Sequence, residues 1–208
     1  MDYEQVKKTR PRIHGEASFA LGDLTMMELG EAAQNQIEKL TQATNAFYSI
    51  IQRFPTNAVA ARAWGRIGDC CLRVSGNQPG YQVHAKRAYE MSLGVTGPVP
   101  INIRSQAHIG LAYVLERQAG GVDRAKILQQ SVDHLLAGFF GRDLKPGEKQ
   151  DPYWHGQSGL FVMRLLEQLG KNDQALKICV EMENDFPAMR SSLKARRERL
   201  EKLVNKRP

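Results

Sequence analysis

With 208 residues, of which 42% are hydrophobic and 25% charged, the chain is long enough to bury a core over most of its length. No apolar run approaches the ~20 residues that cross a bilayer, and three cysteines (Cys70, Cys71, Cys179) with no Cys-x-x-Cys exclude a disulfide scaffold and a zinc ribbon. The net charge of +7 sits at the ends: eight basic residues from Arg190 to Arg207 against Glu198 and Glu201 give +6, residues 1–12 give +2, and the stretch between is nearly neutral.

Residues 1–14 carry Lys7, Lys8, Arg10 and Arg12 with no hydrophobic stretch behind them, and are read as an N-terminal segment of disordered character. As written, the chain predicts a cytoplasmic protein, or a periplasmic or envelope one if a leader has been removed. From there on the apolar periodicity is helical, without the period-two alternation of strands, so the expected fold class is all-α. Breakers fall at Arg53 to Asn57, Ser75 to Gly80, Gly94 to Pro100, Gly120-Gly121, Gly141 to Pro152, Gly170 to Asp173 and Phe186-Pro187. They cut the chain into segments of roughly 12 to 20 residues, predicting about nine helices in antiparallel pairs.

The segments resemble one another. Ala43, Phe47 and Pro55 stand at the same relative spacing as Ala175, Cys179 and Pro187, and both series end in Phe-Pro. Between them lie Ala85 with Tyr89, and Ala125 with Gln129 where an aromatic is expected. The helices that precede these carry small residues at mid-length, Gly68 after Trp64 and Ile67, and Gly110 after Ile109. Helices approach closely only where a small residue faces the partner, so Gly68 and Gly110 pair with Ala85 and Ala125 while Trp64, Tyr89 and Tyr113 fill wider gaps.

This pattern of a large residue, an apolar-Gly step, then Ala, an aromatic and Pro resembles the tetratricopeptide repeat family over about residues 20–190. The stretch Ala43 to Cys70 looks most like the repeats of bacterial envelope members such as the outer-membrane assembly lipoprotein and the periplasmic cell-division coordinator. The alanine spacings of 42, 40 and 50 residues exceed the family's roughly 34, with the excess in the loops. The first pair (Met27, Leu29, Gly30) departs from the pattern, and no lipid-accepting Cys lies near the N-terminus. The resemblance implies a right-handed α-solenoid of about four helix pairs over 15–187, closed by a basic amphipathic capping helix over 188–208 with Met189, Leu193, Leu200, Leu203 and Val204 on one stripe. Uncovered end repeats would also allow dimerisation.

Residue chemistry points away from an enzyme. The five histidines (His14, His84, His108, His134, His155) lie in different segments with no i, i+4 pair, and neither a phosphate-binding glycine loop nor a nucleophile elbow is present. No cofactor or metal is expected. Arg62, Arg66, Asp69 and Arg73 recur at 0, +4, +7 and +11, one charged stripe opposite Trp64, Ile67 and Cys71. In the family the concave groove is lined by first-helix positions, which implies a partner-binding set of Arg62, Arg66, Asp69 and Arg73, then Arg104 and Arg164. Such a groove would favour an acidic or amphipathic segment of another protein. The dicarboxylate clamp of some relatives is not expected, because Gly65 and Asp69 stand where it needs Lys and Asn. The alternative is binding of nucleic acid or an anionic membrane surface through the basic last helix. The loop 141–156 ends in Tyr153 and Trp154, which either line a binding surface or start the next helix.

Overall fold

The structure, a computed structural model, describes residues 19–25, 27 and 36–205, and all regular structure among these is helical. The segment 1–14, Leu29 and Gly30, and the tail cations Lys206 and Arg207 lie outside the described residues. Among the described residues nine α-helices follow in chain order: α1 (19–25), α2 (Gln36–Arg53), α3 (Ala58–Val74), α4 (Tyr81–Leu93), α5 (Ile101–Gln118), α6 (Arg124–Phe139), α7 (Pro152–Gln168), α8 (Asn172–Asp185) and α9 (Arg190–Asn205). Short 3-10 turns, Gly121–Asp123 and Pro187–Met189, lead into α6 and α9. No helix among the described residues is long and apolar enough to cross a membrane.

The helix ends follow from local chemistry. Asn57 caps α3 by accepting from the Val59 N–H at 3.2 Å, and Asp151 caps α7 by accepting from the Trp154 N–H at 3.1 Å, with Pro152 in the first turn. Tyr153 and Trp154 therefore begin a helix. At the other end of α7, Gly170 takes φ +69°, which lets the Lys171 and Gly170 N–H groups close back on the Leu166 and Glu167 carbonyls. Consecutive helices run antiparallel: Asn77, just past α3, donates to Gln36 at the start of α2, and Ser92 near the end of α4 donates to the Ala61 carbonyl near the start of α3.

The described helices fall into two compact units that divide between Gly110 and Leu111, within α5. The first holds α1 to α4 and the first part of α5. The second holds the rest of α5 with α6 to α9, and α9, the basic helix, packs on α8 inside it. Of the stripe on α9, Leu193 and Leu200 are buried, whereas Leu203 is 42% exposed.

Both units are built on one packing device. Gly22 on α1, Gly68 on α3, Gly110 on α5 and Gly159 on α7 each face a large side chain so closely that a Cβ there would lie within 3.0 Å of it. The partners are Phe47 for Gly22, Tyr89 for both Gly68 and Gly110, and Phe139 with Met182 for Gly159. The sequence singles out Gly68 and Gly110, and Gly22 and Gly159 show the same close approach.

The facing helices repeat a buried triplet at 0, +4 and +7: Ala43, Phe47 and Ile50 on α2, Ala85, Tyr89 and Ser92 on α4, and Ala175, Cys179 and Met182 on α8. On α6 the register expected from the sequence is corrected. Ala125 is exposed and Gln129 only partly buried, while Leu128, Val132 and Leu135 form the buried triplet. The reason is that the apolar stripe of α6 begins three residues later than its alanine, so a large residue takes the position where the sister helices have Ala. The first members of the triplets are then 42, 43 and 47 residues apart, more even than the alanines suggest.

Candidate functional site

Helix α3 presents two chemically distinct faces within the first unit. Positions 62, 66, 69 and 73 share one side of a 3.6-residue helix, and positions 64, 67 and 71 lie opposite.

On the charged face, Asp69 is a hub. Its Oδ1 accepts from the Tyr89 hydroxyl at 2.8 Å, and its Oδ2 accepts from the Gln106 amide at 2.9 Å and from the Arg66 guanidinium at 3.4 Å. Arg66 also forms an ion pair with Asp23 on α1 at 3.1 Å. Asp23 and Asp69 each follow their close-approach glycine, in Leu21-Gly22-Asp23 and Ile67-Gly68-Asp69, so one sequence step places both carboxylates around Arg66. Burial raises the Asp69 carboxyl above its ordinary value, and the donations from Tyr89, Arg66 and Gln106 only partly oppose that. Burial likewise pushes the Tyr89 phenol well up, reinforced by the neighbouring Asp69.

The expected partner-binding residues therefore divide. Arg66 and Asp69 are engaged with one another and with neighbouring helices. Arg62 is exposed, its guanidinium 4.4 Å from the centre of the Phe19 ring, and Arg73 is exposed about three turns further along the same face. Arg104 is buried and donates to the Val99 carbonyl, anchoring the start of α5, so it is not available on an open face. In the second unit Arg164 pairs with Glu116 at 2.8 Å and covers the Phe161 ring at 4.5 Å.

The opposite face of α3 floors a cleft of about 460 Å³ between α2 and α4. Leu40, Ile67 and Met91 supply aliphatic surface, and Tyr48, Trp64 and Tyr81 supply aromatic walls. Tyr48 meets Trp64 edge to face with ring centres 5.5 Å apart. His84, 5.6 Å from the Tyr81 ring, and Arg87 are its ionisable nitrogen groups, and no carboxylate is among the described residues that line it. Cys71 lies at the base with its thiol pushed up to about 11 by burial, and Cys70 beside it is pushed up to about 12. Both are protonated, apolar packing groups at neutral pH.

Sequence reasoning reached Trp64, Ile67 and Cys71 as one face but not the cleft, because Tyr48, Tyr81, His84 and Arg87 are contributed by two other helices. A usable signal was present. Tyr48 is an aromatic one residue out of phase with the buried Phe47, and out-of-phase aromatics mark a second face.

The basic last helix is tied down by its own charges. Arg196 and Arg199 meet the two oxygens of Glu167 at 2.6 and 2.5 Å, and Arg197 meets the buried Glu183 at 3.1 Å. Elsewhere in this unit His155 is stacked on Phe139 with ring centres 4.6 Å apart and bonds through Nε2 to Asp185 at 3.0 Å, joining the start of α7 to the end of α8. Among the described residues no group of three or more His, Cys, Asp or Glu is placed to hold a metal ion.

Comparison with protein-family models, with curated proteins and with solved structures gives no match.

Proposed function

We propose that the chain is a tetratricopeptide-like helical-repeat adaptor, a non-enzymatic right-handed solenoid that binds a segment of another protein. The observation that carries this reading is the coincidence of two series at related spacing, the close-approach glycines on α1, α3, α5 and α7 and the buried 0, +4, +7 triplets on α2, α4, α6 and α8. Repetition of one packing unit builds extended surfaces rather than a single enclosed pocket, and such surfaces suit protein segments. On the charged face of α3 Arg62 and Arg73 are exposed, and guanidinium groups favour carboxylates.

The competing reading, an anionic polymer or membrane surface held by the basic tail, is weakened by the ion pairs of α9. Arg196, Arg197 and Arg199 are engaged with Glu167 and Glu183. A phosphate-binding surface needs cations that are open to the ligand.

The deciding experiment is capture of partners by the tagged chain after nuclease treatment, beside the doubly substituted Arg62→Glu, Arg73→Glu chain. A discrete protein retained at moderate salt and lost from the variant, with circular dichroism unchanged, is the expected result. Retention of nucleic acid or lipid that falls steeply with salt and is indifferent to the two substitutions would overturn the reading.

A further inference from the structure

We infer that the cleft between α2 and α4 is a second binding site, separate from the Arg62 and Arg73 face, and that it takes a short partner segment in which an aromatic or long aliphatic side chain is followed closely by Asp or Glu. The inference rests on the adaptor reading for the kind of partner, but on different residues for the site.

Three observations point to this occupant. The first is size and lining: about 460 Å³ falls within the roughly 300 to 1,000 Å³ of ligand pockets, and the combination of Tyr48, Trp64, Leu40 and Met91 matches the apolar anchor pockets of protein interfaces. The second is charge. Arg87 is exposed on the rim with no ion pair to any described residue, His84 stands one turn before it, and the described lining contributes no carboxylate to neutralise either. Arg66 in the same unit, by contrast, is paired with Asp23 and Asp69. A guanidinium beside an apolar cleft recognises a carboxylate placed next to the buried side chain, and its planar fork fixes the orientation of the segment. The third is exposure. Tyr48 is 40% exposed although it stands next to the fully buried Phe47, so its ring is held at the surface edge to face with Trp64.

The test is selection from a random peptide library displayed on phage against the full chain, followed by titration of one selected peptide while the Trp64 indole N–H resonance is observed. The expected result is enrichment of peptides carrying a large apolar residue with Asp or Glu within the next few positions. The selected peptide should move the Trp64 resonance, and Arg87→Glu should weaken it about tenfold or more while the same peptide with Lys in place of its acidic residue regains affinity. The Arg62→Glu, Arg73→Glu chain should bind the peptide as the unsubstituted chain does. Because Arg87 is on the surface, its replacement leaves the fold in place, and an unchanged amide spectrum away from α4 checks this.

Failure to enrich any sequence, enrichment without an acidic residue, or binding unaffected by Arg87→Glu would overturn the cleft. Peptides that ignore Arg87 but are lost from the Arg62→Glu, Arg73→Glu chain would overturn the cleft while leaving the adaptor reading standing. Cleft binding together with failed protein capture would do the reverse.

Discussion

The Tyr89 hydroxyl donates to Asp69 across 2.8 Å while the ring that carries it fills the space between Gly68 and Gly110. One side chain on α4 thus fixes the separation of α3 and α5 through its ring and holds the charged face of α3 through its oxygen. Two glycines make room for the ring, and the carboxylate satisfies a phenol that would otherwise be buried without a partner.

Replacing Tyr89 by Phe keeps the ring and removes the donor. A buried hydrogen bond to a charged acceptor contributes about 1.5 to 3 kcal/mol, so urea unfolding should show a loss of that order. Burial already raises the Asp69 carboxyl, and removing a donor raises it further. The deficit should therefore be smallest in acid, where Asp69 is protonated in both folded chains, and grow as pH rises through the carboxyl's folded pKa. A deficit independent of pH would mean that Tyr89 does not act through Asp69.

Gly110→Ala sets two effects against each other. Helix propensity favours Ala by about 1 kcal/mol, while overpacking costs about 1 to 3 kcal/mol. The new Cβ would meet the Tyr89 ring, and the ring cannot retreat because Gly68 backs it within 2.8 Å of where a second Cβ would stand. Overpacking should win, giving a net loss of up to about 2 kcal/mol. In a Tyr89→Leu background the same change should become neutral or stabilising, and a double-mutant cycle with no coupling would contradict this packing.

Alkaline pH should loosen the first unit. The Cys70 and Cys71 thiols are pushed up to about 12 and about 11 by burial, against an unfolded value of about 8.5. Their contribution is fully present below the unfolded value and is lost as pH rises toward the folded ones, by roughly 2 kcal/mol for each thiol between pH 8.5 and 10.5. Denaturant midpoints across that range measure it, and a level profile would contradict it. At pH 8 the folded chain should react with thiol reagents far more slowly than the unfolded chain, since the thiolate is the nucleophile.

Glu167 holds α9 through Arg196 and Arg199. With Glu167 and Arg196 less than a third exposed, but Arg199 59% exposed and screened by solvent, Glu167→Gln should cost about 1 kcal/mol. The difference should shrink in high salt. Amide hydrogen exchange in α9 would rise in the variant, and unchanged protection there would show that Leu193 and Leu200 alone suffice to dock the helix.

How much of this was legible in the sequence depends on the range of the interaction concerned. Helical periodicity, the breakers at Phe54 to Asn57 and Ser75 to Gly80, and the caps at Asn57 and Asp151 act within a few residues, so the all-α class and the helix boundaries can be read directly from the chain. The alanine-aromatic spacing of Ala43 with Phe47 and Ala85 with Tyr89 was also legible, because each pair lies on one helix face.

The register of α6 was not. Ala125 matched the spacing, but burial is set by the neighbouring helices, which select Leu128, Val132 and Leu135. The arginine stripe of α3 was correctly gathered on one face, yet nothing local distinguishes Arg66, held by Asp23 and Asp69, from Arg62, which is left open. Arg104 reads as a surface cation until the fold turns it onto the Val99 carbonyl. The cleft needs Tyr48, Trp64 and Tyr81 from three helices. The sequence alone determined which faces exist, since a face follows from the 3.6-residue period; only the tertiary structure decided what each face meets, since that depends on how closely a glycine lets the next helix approach.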